Sequence, residues 1–445
     1  MPKETKEEMI HSVALKALER YTYATLIGSG RIYSYDPSCG VYVNDAESRV
    51  KLFVETALQE RATMHVRSEV LEKIRCRTMI DVGRFDSDDS SVCLLNGILD
   101  LRSRKLRPHS PDELFMRQLS VTYDPHSTCP AIKRFLSEVV TDADATRLQQ
   151  FAGFMLQSGY RHHKAFILVG HGGNGKTTFS NLLQSFIGAG HFSSLSLQQI
   201  SHEKFLIPRL LGKIANISPE MGSSTIKDTE MLKVVTGESS FEAQEKNEKA
   251  FNMTNSAKMI FACNEIPAAP GADDAYYQRW MIIPFPNTFE PGKTADENLL
   301  EKLTDPCELS GFLNFALDGL DSLERSRHFD YPLNATGCRT IYQAWSGDTI
   351  QQFVAVMLVM DDDAEIASQA LMSAYIDYCR SIDKVPESEN KFFTDLPKAV
   401  GGRMVKVRTR DGETRIPSIR GIRLATLDDK TVPYKPTTIG GWSFR

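Results

Sequence analysis

One glycine-rich segment has the residue types and the spacing of a phosphate-binding loop. Residues 170–177 read Gly-His-Gly-Gly-Asn-Gly-Lys-Thr, which matches the pattern G-x-x-x-x-G-K-[ST]. Glycines let backbone N–H groups wrap phosphate oxygens, Lys176 neutralises the β- and γ-phosphates, and the Thr177 hydroxyl binds Mg²⁺. The loop follows an apolar stretch and precedes a helical one, Thr178–Ile187. This context argues against a glycine-rich turn that matches the pattern by chance. The expected nucleotide-binding residues are Gly170, Gly172, Gly173, Asn174, Gly175, Lys176, Thr177 and Thr178.

Two polar residues follow apolar stretches further along the chain. Glu220 comes after the stretch Lys213–Ile217, where it could polarise an attacking water or hold Mg²⁺. Asn264 comes directly after Met259–Cys263, where its amide could orient that water. A surface glutamate and an asparagine in an ordinary turn are the alternatives. The order of the motifs favours a functional site.

Arg279 stands just before the apolar stretch Met281–Pro284. An arginine at this point could reach the γ-phosphate held by a neighbouring subunit, as an arginine finger does. A surface ion pair, or a guanidinium stacked on a tyrosine or tryptophan, is the alternative. We therefore count Lys176, Glu220, Asn264 and Arg279 as the candidate catalytic residues, and Thr177 and Glu220 as the candidate Mg²⁺ ligands.

The segment Phe241–Phe251 has β-forming ends around a polar centre, which predicts a hairpin. Lys246 and Lys249 near its tip could contact a DNA backbone. Three glutamates share the segment, so a merely solvated turn is close to an equal alternative.

Apolar strands that alternate with helices from Ala165 onwards predict a mostly parallel sheet with helices on both faces. Before it, residues 4–28 read as an amphipathic helix, and Arg31–Val43 and Cys93–Arg107 as hairpins. Helices follow over residues 131–160 and again after Phe289, and a short basic hairpin ends the chain. We expect three units: an α+β domain (1–125), an α/β domain with a helical collar at 126–160 (126–325), and a helical, winged-helix-like module (326–445).

Composition excludes several classes of protein. The 445 residues are 41% hydrophobic, which suits about three soluble domains, and no apolar run reaches the ~20 residues of a membrane span. The start lacks the pattern of a secretory signal, and the eight scattered cysteines predict reduced thiols, so we expect a cytoplasmic protein. The net charge of −5 argues against wholesale coating of nucleic acid, although the chain from Val400 onwards is basic.

Taken in order, these motifs resemble superfamily 3 helicases, and more narrowly the phage, plasmid and poxvirus primase–helicase branch. The resemblance rests on Gly-x4-Gly-Lys-Thr, the strand before Glu220, Lys233-x2-Thr-Gly-Glu, Asn264-Glu-Ile-Pro and Arg279-Trp-x-Ile-x-Pro-Phe. Upstream, Leu95-Asn-Gly-Ile-Leu-Asp-Leu resembles the domain that precedes the motor in that branch. The likeness covers about residues 15–325.

The resemblance implies an AAA+-like P-loop core that forms a ring, usually hexameric, on single-stranded or forked DNA. Such a motor uses ATP and Mg²⁺, moves 3′ to 5′ and acts in replication of a mobile element or virus. Carried over, Lys176 and Thr177 bind the nucleotide and Mg²⁺, Glu220 is the acidic residue, Asn264 the sensor and Arg279 the finger in trans. Lys246 is the best candidate for the hairpin contact with DNA.

This sequence departs from the pattern in two respects. Relatives often carry two adjacent acids where Ser218 and Pro219 precede a lone Glu220, so metal binding and water activation could be divided differently. Only about 90 residues precede the pre-motor domain, so we predict no primase activity and a separate primase or replication initiator as partner.

Other functions remain open. The chain could be an origin-binding initiator ATPase without processive unwinding, with the basic C-terminal module as its DNA reader. The chain could also be a nucleotide-binding structural subunit or a small-molecule kinase, but neither function requires the Asn264 and Arg279 motifs.

Overall fold

Three helices and a four-stranded sheet form the first part of the chain. The structure is a computed structural model and describes residues 5–222, 224–290, 292–332, 334–402, 404–411, 414–426 and 429. The first elements are α1 (Lys6–Arg20), β1 (Tyr23–Leu26), β2 (Ile32–Asp36), β3 (Val41–Val43), α2 (Ala46–Leu58), α3 (Met64–Arg77) and β4 (Met79–Ile80). The strand order is β3-β2-β1-β4, and the hairpin predicted over Arg31–Val43 is confirmed as the β2–β3 pair.

Helix α1 is shorter than the predicted helix over residues 4–28. It begins with a capping box between Thr5 and Glu8 and ends at Arg20, and the backbone of Tyr21 is already extended. The next residues, Tyr-Ala-Thr-Leu, are strand formers that pair with β2 and β4. The prediction was wrong beyond Arg20 because helical spacing of apolar residues ran on into a buried strand.

A second sheet, in which both strand pairs are antiparallel, precedes the parallel one. It comprises β5 (Ser91–Leu94), β6 (Gly97–Asp100) and β7 (Leu106–Arg107), which extends the predicted hairpin to three strands. Val92 and Leu99 pack into the same core as the helices and strands that follow, whereas Val13 and Val50 form a separate core with α3. Cys93 and Ile98 of the same sheet pack with Val41 of β3, so the sheet contacts both the first part of the chain and the part that follows.

The central element is a five-stranded sheet in which every neighbouring pair is parallel, as the sequence predicts. The elements of this part are α4 (Pro130–Val139), α5 (Asp142–Met155), β8 (Ala165–Val169), α6 (Lys176–Ile187), β9 (Phe192–Ser193), α7 (Leu197–His202), β10 (Ala215–Ser218), α8 (Glu230–Val235), β11 (Phe241–Ala243), β12 (Phe251–Met253), β13 (Lys258–Cys263), α9 (Asp274–Gln278) and β14 (Trp280–Pro284). Strands β11 and β12 form a separate two-stranded sheet. The strand order of the parallel sheet is β14-β8-β13-β10-β9. Because all strands run the same way, the residues that follow β8, β13 and β10 meet at one edge.

Helices cover the sheet and lead to the C-terminal part. They are α10 (Leu299–Leu303), α11 (Pro306–Ser326) and α12 (Ala335–Ala344). Helix α11 crosses α5 so closely that a Cβ built on Gly153 would lie 2.4 Å from the backbone nitrogen of Leu320. The crossing therefore requires glycine at this position.

The C-terminal part has its own hydrophobic core, built around Phe353, Tyr375 and Phe392. Its elements are α13 (Thr349–Met357), β15 (Leu358–Ala367), α14 (Ser368–Ser381), α15 (Glu389–Ala399), β16 (Val405–Asp411) and β17 (Thr414–Leu424). The strands form an antiparallel sheet in the order β15-β17-β16. Helix–strand–helix–helix–strand–strand is the element order of a winged helix. Strand β15 was not expected from the sequence.

The basic end of the chain is partly neutralised where the structure describes it. Arg420 pairs with Glu365, and Arg423 pairs with Asp361 and Asp429. The basic residues after position 429 lie outside the described residues. All eight cysteines are free and five are buried, in agreement with the expected reduced thiols. Within the described ranges, no helix is long and apolar enough to cross a membrane.

Candidate nucleotide site and hairpin

A cleft of about 1350 Å³ lies at the carboxyl edge of the parallel sheet. Its lining includes the loop after β8, Asn264 after β13 and Glu220 after β10. These strands are neighbours in the sheet, so three motifs that are up to 94 residues apart in sequence are brought together. Seven of the eight predicted nucleotide-binding residues line the cleft, and the eighth, Gly170, holds Lys176 through its carbonyl oxygen.

The glycine-rich loop has a conformation that few other residues could adopt. Gly173 and Gly175 have φ values of +69° and +91°. A Cβ on Gly175 would also lie 2.8 Å from Val139 Cγ1 and 3.3 Å from Phe135 Cε2, both on α4. Helix α6 starts at the next residue, Lys176, so its free N–H groups and the positive end of its dipole face the cleft. The segment is thus shaped for an anion.

The loop is fastened to the segment that follows β14. The Phe289 N–H donates to the Gly173 carbonyl oxygen at 2.7 Å, and the Asn174 side-chain amide donates to the Phe285 carbonyl oxygen at 3.1 Å. Asn174 is buried, so this bond is shielded from water. The loop is therefore held to this segment at two points.

Lys176 is 93% buried at the centre of the site, since its exposed fraction is 7%. Its ammonium donates to the carbonyl oxygens of Gly170 (2.6 Å) and His171 (3.0 Å) and to Asn174 Oδ1 (2.9 Å). Asn264 Oδ1 lies 3.5 Å away. Burial lowers the pKa of Lys176, and the nearby Cys263 opposes that shift. The contact between Lys176 and Asn264 joins the loop to the end of the neighbouring strand β13.

Glu220 and Asn264 both project from the sheet edge and are exposed. The Met221 N–H donates to the Ala262 carbonyl oxygen at 2.7 Å, which ties the segment after β10 to β13. The Ser218 hydroxyl donates to the Glu220 carbonyl oxygen at 3.2 Å and so helps to fix the turn. Both side chains line the cleft that contains the loop.

The residues at the cleft fit Mg²⁺ only in part. Thr177 and Glu220 supply a hydroxyl and a carboxylate, the hard oxygen donors that Mg²⁺ prefers. Among the residues that the structure describes, no cluster of three or more His, Cys, Asp or Glu side chains could hold a metal. The donor set therefore suits a Mg²⁺ ion that takes its remaining ligands from phosphate and water.

One wall of the cleft is apolar, which the sequence did not reveal. Its accessible part is formed by Phe289 and by Leu299 and Leu300 at the start of α10, while Phe135 and Val139 of α4 are buried against Gly175. Such a surface fits a flat ring system beside the phosphate loop. The signal in the sequence is the amphipathic pattern of α4, but the pattern does not say which element faces it.

Arg279 lies at the opposite edge of the sheet from this cleft. It immediately precedes β14, whose Trp280 is paired with Ala165 at the start of β8. The guanidinium is half-buried, its Nη1 donates to the Thr236 carbonyl oxygen at 3.4 Å, and burial lowers its pKa. The structure therefore brings Lys176, Glu220 and Asn264 together and separates Arg279 from them.

The predicted hairpin is confirmed as the antiparallel pair β11–β12. Lys246 and Lys249 are exposed in the turn between the strands, and neither forms an ion pair within the described part of the chain. A second cleft, of about 990 Å³, lies beside the hairpin and includes Lys246. The arrangement leaves both lysines accessible.

The other side of this second cleft was missed by the sequence analysis. It is the segment Lys204–Leu210, with exposed Lys204 and Arg209 and with Phe205, whose exposed fraction is 54%. An exposed aromatic ring between cations suits stacking on a nucleic acid base. The sequence shows a phenylalanine beside a lysine, but its exposure depends on the fold.

Two family profiles match the chain. The family described as "D5 N terminal like" matches residues 3–141, and a family of unknown function, DUF5906, matches residues 168–279. The second match contains the loop, Glu220, Asn264 and Arg279.

Viral proteins named as helicases are similar in sequence. "Putative helicase 121R" of Invertebrate iridescent virus 3 is 24% identical over 54% of this chain and 27% of its own length. "Putative helicase 022R" of Frog virus 3 (isolate Goorha) is 27% identical over 47% of this chain and 24% of its own length. The chain thus spans about a quarter of the length of these relatives.

The fold as a whole resembles a solved structure. The apo structure of the NrS-1 C terminal region superposes with a TM-score of 0.50 at 12% identity. The match covers 95% of this chain and 100% of the other. The similarity therefore extends across the N-terminal sheets, the parallel sheet and the C-terminal part.

Proposed function

We propose, because the chain belongs to the phage and viral primase–helicase family, that it is an ATP-dependent DNA helicase with an AAA+-like core. It would form a ring, with six subunits as the expected number, and move 3′ to 5′ on single-stranded or forked DNA. Its role would be the replication of a phage, plasmid or other mobile element in the host cytoplasm. A separate primase or initiator would supply primers or load the ring.

One observation carries the proposal: Lys176, Asn264 and Glu220 surround one cleft while Arg279 stands at the far edge of the same sheet. Three groups suited to ATP hydrolysis are present in each subunit. The fourth can act only on the cleft of a neighbour, which is the division of labour in a ring ATPase. The strand order β14-β8-β13-β10-β9 places Asn264 between the loop and Glu220, as such a core requires.

Each residue then has a defined task. Lys176 and the first N–H groups of α6 bind the β- and γ-phosphates of ATP, and the apolar wall with Phe289 and Leu300 receives the base. Thr177 and Glu220 would hold Mg²⁺, and the ion would supply positive charge that offsets the charge of the phosphates. Glu220 also polarises the attacking water, which the Asn264 amide orients. Arg279 stabilises the charge that develops on the γ-phosphate in the neighbouring subunit.

DNA contact is assigned to the hairpin and to the segment opposite it. Lys246 and Lys249 neutralise backbone phosphates, and Phe205 offers a stacking surface across the second cleft. Both contacts are independent of base sequence, as a translocating motor needs. Alanine at Lys246 should weaken DNA binding and lower its salt dependence by about one unit.

An origin-binding initiator ATPase is the second candidate, favoured by the winged-helix order of the C-terminal elements. Winged helices place a helix in the major groove of duplex DNA, and α15 holds the corresponding position in the chain. In that case the C-terminal part would read a specific site, and hydrolysis would drive melting without translocation.

Unwinding of forked DNA separates the two functions. A fork with a 3′ tail and a fork with a 5′ tail are incubated with ATP, Mg²⁺ and either the wild-type chain or Lys176→Ala. The helicase function predicts unwinding of the 3′-tailed fork alone, lost in Lys176→Ala. Hydrolysis without unwinding on either fork, together with tight binding to one duplex sequence, would favour the initiator. Normal turnover by Lys176→Ala would contradict both.

A further inference from the structure

The hairpin tip is held by an arginine from a distant part of the chain. Arg31, in the turn before β2, places Nη2 at 2.5 Å from Glu245 Oε2 and at 2.6 Å from Glu248 Oε2. The Arg31 side chain is only 17% exposed. Burial opposes its charge, but the two carboxylates outweigh burial and raise its pKa. This ion triad is better shielded than an ordinary surface pair.

The contact is part of a wider packing between the first sheet and the hairpin. The Arg31 guanidinium lies 5.8 Å from the centre of the Phe251 ring on β12. A Cβ at Gly28 would lie 3.6 Å from that of Phe251, and Gly28 has a φ of +91°. Strand β12 also packs against the turn Val82–Arg84. The end of the hairpin next to the turn is thus fixed against the first sheet.

Internal bonds place the two glutamates on the same side of the tip. The Glu248 N–H donates to the Glu245 carbonyl oxygen at 3.1 Å, and the Gln244 side chain donates to the Glu248 carbonyl oxygen at 2.9 Å. Asn247 has a φ of +67°, which closes the turn. Both carboxylates face Arg31, whereas Lys246 and Lys249 are exposed.

The contact with Arg31 changes the net charge of the hairpin tip. Within residues 244–250, two lysines and two glutamates cancel, so the tip alone has no net attraction for phosphate. Arg31 adds one positive charge and occupies both carboxylates, which would otherwise pair with the adjacent lysines or repel DNA. The sequence analysis left open whether the tip is only a solvated turn or a contact for DNA. The charge of Arg31 bears directly on which of the two applies.

We propose that Arg31 is a positioning residue for DNA binding: it neutralises Glu245 and Glu248 and thereby leaves Lys246 and Lys249 free for the phosphate backbone. The inference rests on the proposed DNA-binding role of the hairpin. In this arrangement, residues of the first sheet and of the parallel-sheet part both contribute to the surface that contacts DNA. Arg31 itself need not touch the nucleic acid.

The test compares dissociation constants of full-length variants for a fluorescein-labelled oligothymidylate by anisotropy at low salt. Arg31→Met should bind about fivefold more weakly than the wild type, because the tip loses its net charge. Arg31→Met combined with Glu245→Gln and Glu248→Gln should bind at least as tightly as the wild type, since no carboxylate is left to neutralise. A purely structural role for Arg31 would not be rescued in this way.

Arg104→Met is the matched control. Arg104 also links the N-terminal part to the rest of the chain, through Asp321 (2.6 Å) and the Leu317 carbonyl oxygen (3.1 Å), but it does not contact the hairpin. Its removal should leave DNA affinity unchanged. Arg31→Lys keeps the charge without the planar fork and should fall between Arg31→Met and the wild type.

The outcomes are distinguishable. Equal binding by Arg31→Met and the wild type, with binding lost in Lys246→Ala/Lys249→Ala, would overturn this inference and leave the proposed function intact. Weak binding by Arg31→Met that is not rescued by the two glutamine substitutions would also overturn it. Full binding by Lys246→Ala/Lys249→Ala, or none by the wild type, would contradict the proposed DNA contact and this inference together.

Discussion

Arg279 should act on the nucleotide of a neighbouring subunit, and the structure shows why its own cleft is out of reach. Trp280 and Pro284 of β14 are level with Ala165 and Val169 of β8. Five strand residues therefore separate Arg279 from the phosphate loop, a distance of about 16 Å. A fully extended arginine side chain spans only about 7 Å.

The expected loss of activity is large. An arginine finger contributes about a thousandfold or more to the hydrolysis rate, so Arg279→Ala alone should be nearly inactive. Lys176→Ala should be equally inactive for a different reason, because it removes the cation proposed to bind the β- and γ-phosphates. In a ring assembled at random from equal amounts of the two, roughly one interface in four has both an intact Lys176 and an intact neighbouring Arg279.

The assay is phosphate release from ATP by mixed subunits. The two variants are mixed at several ratios under conditions that allow subunit exchange, and activity should peak at the equal mixture with roughly a quarter of the wild-type rate. Arg325→Ala serves as the control and should remain active alone, since among the residues that the structure describes Arg325 donates only to the Asp321 carbonyl oxygen of its own helix. Absence of recovery at every ratio, or substantial activity of Arg279→Ala alone, would refute the reasoning.

Three further predictions concern stability and the loop. Gly175→Ala should lower ATP affinity at least tenfold in a binding assay, because φ is +91° and the new Cβ would contact Val139 at 2.8 Å; unchanged affinity would show that α4 can move away. Gly153→Ala should lower the free energy of unfolding by about 1–3 kcal/mol in urea, because its Cβ would meet the backbone of α11. Burial, aided by nearby cations, lowers the pKa of His162 and His191 to about 4 from 6.5, so the unfolded chain binds more protons between those values. The thermal midpoint should therefore fall as pH drops from about 6.5 to about 4, and this fall should be smaller in His162→Phe/His191→Phe; an identical pH profile would exclude these two groups as its cause.

The parallel sheet and its cleft could be predicted because each strand is short, apolar and followed by a polar motif. Strand β9 was not predicted, because it consists of only two residues, Phe192 and Ser193. Strand β15 contains three consecutive aspartates, which are typical of a loop, and the register of its pairing with β17 shifts between Asp361 and Glu365. The residues on either side of this irregularity are a strand because β17 pairs with them. In both cases tertiary pairing, rather than local preference, determines the structure.

The candidate site was predictable to the same extent. Residue types and order identified Lys176, Glu220, Asn264 and Arg279, but not which side of the sheet each occupies. That depends on strand direction, which the pairing of β14 with β8 fixes. The Arg31 contact with Glu248 joins residues 217 positions apart, and no local pattern in either segment indicates it. Sequence spacing therefore predicted the cleft but not its connections to the rest of the chain.

Strand β14 has a mechanical consequence for a ring of these subunits. Arg279 stands at its start, where the Arg279 carbonyl oxygen accepts the Ala165 N–H, and Phe285 and Phe289 after its end hold the phosphate loop. Residues 280–283 are at most 1% exposed, so the strand is a stiff rod within the sheet. A displacement of Arg279 by the nucleotide of one neighbour would be transmitted along this rod to the loop of its own subunit. In the proposed ring, hydrolysis events would then be passed from subunit to subunit in one direction, which would give the proposed motor a firing order without any contact between the nucleotides themselves.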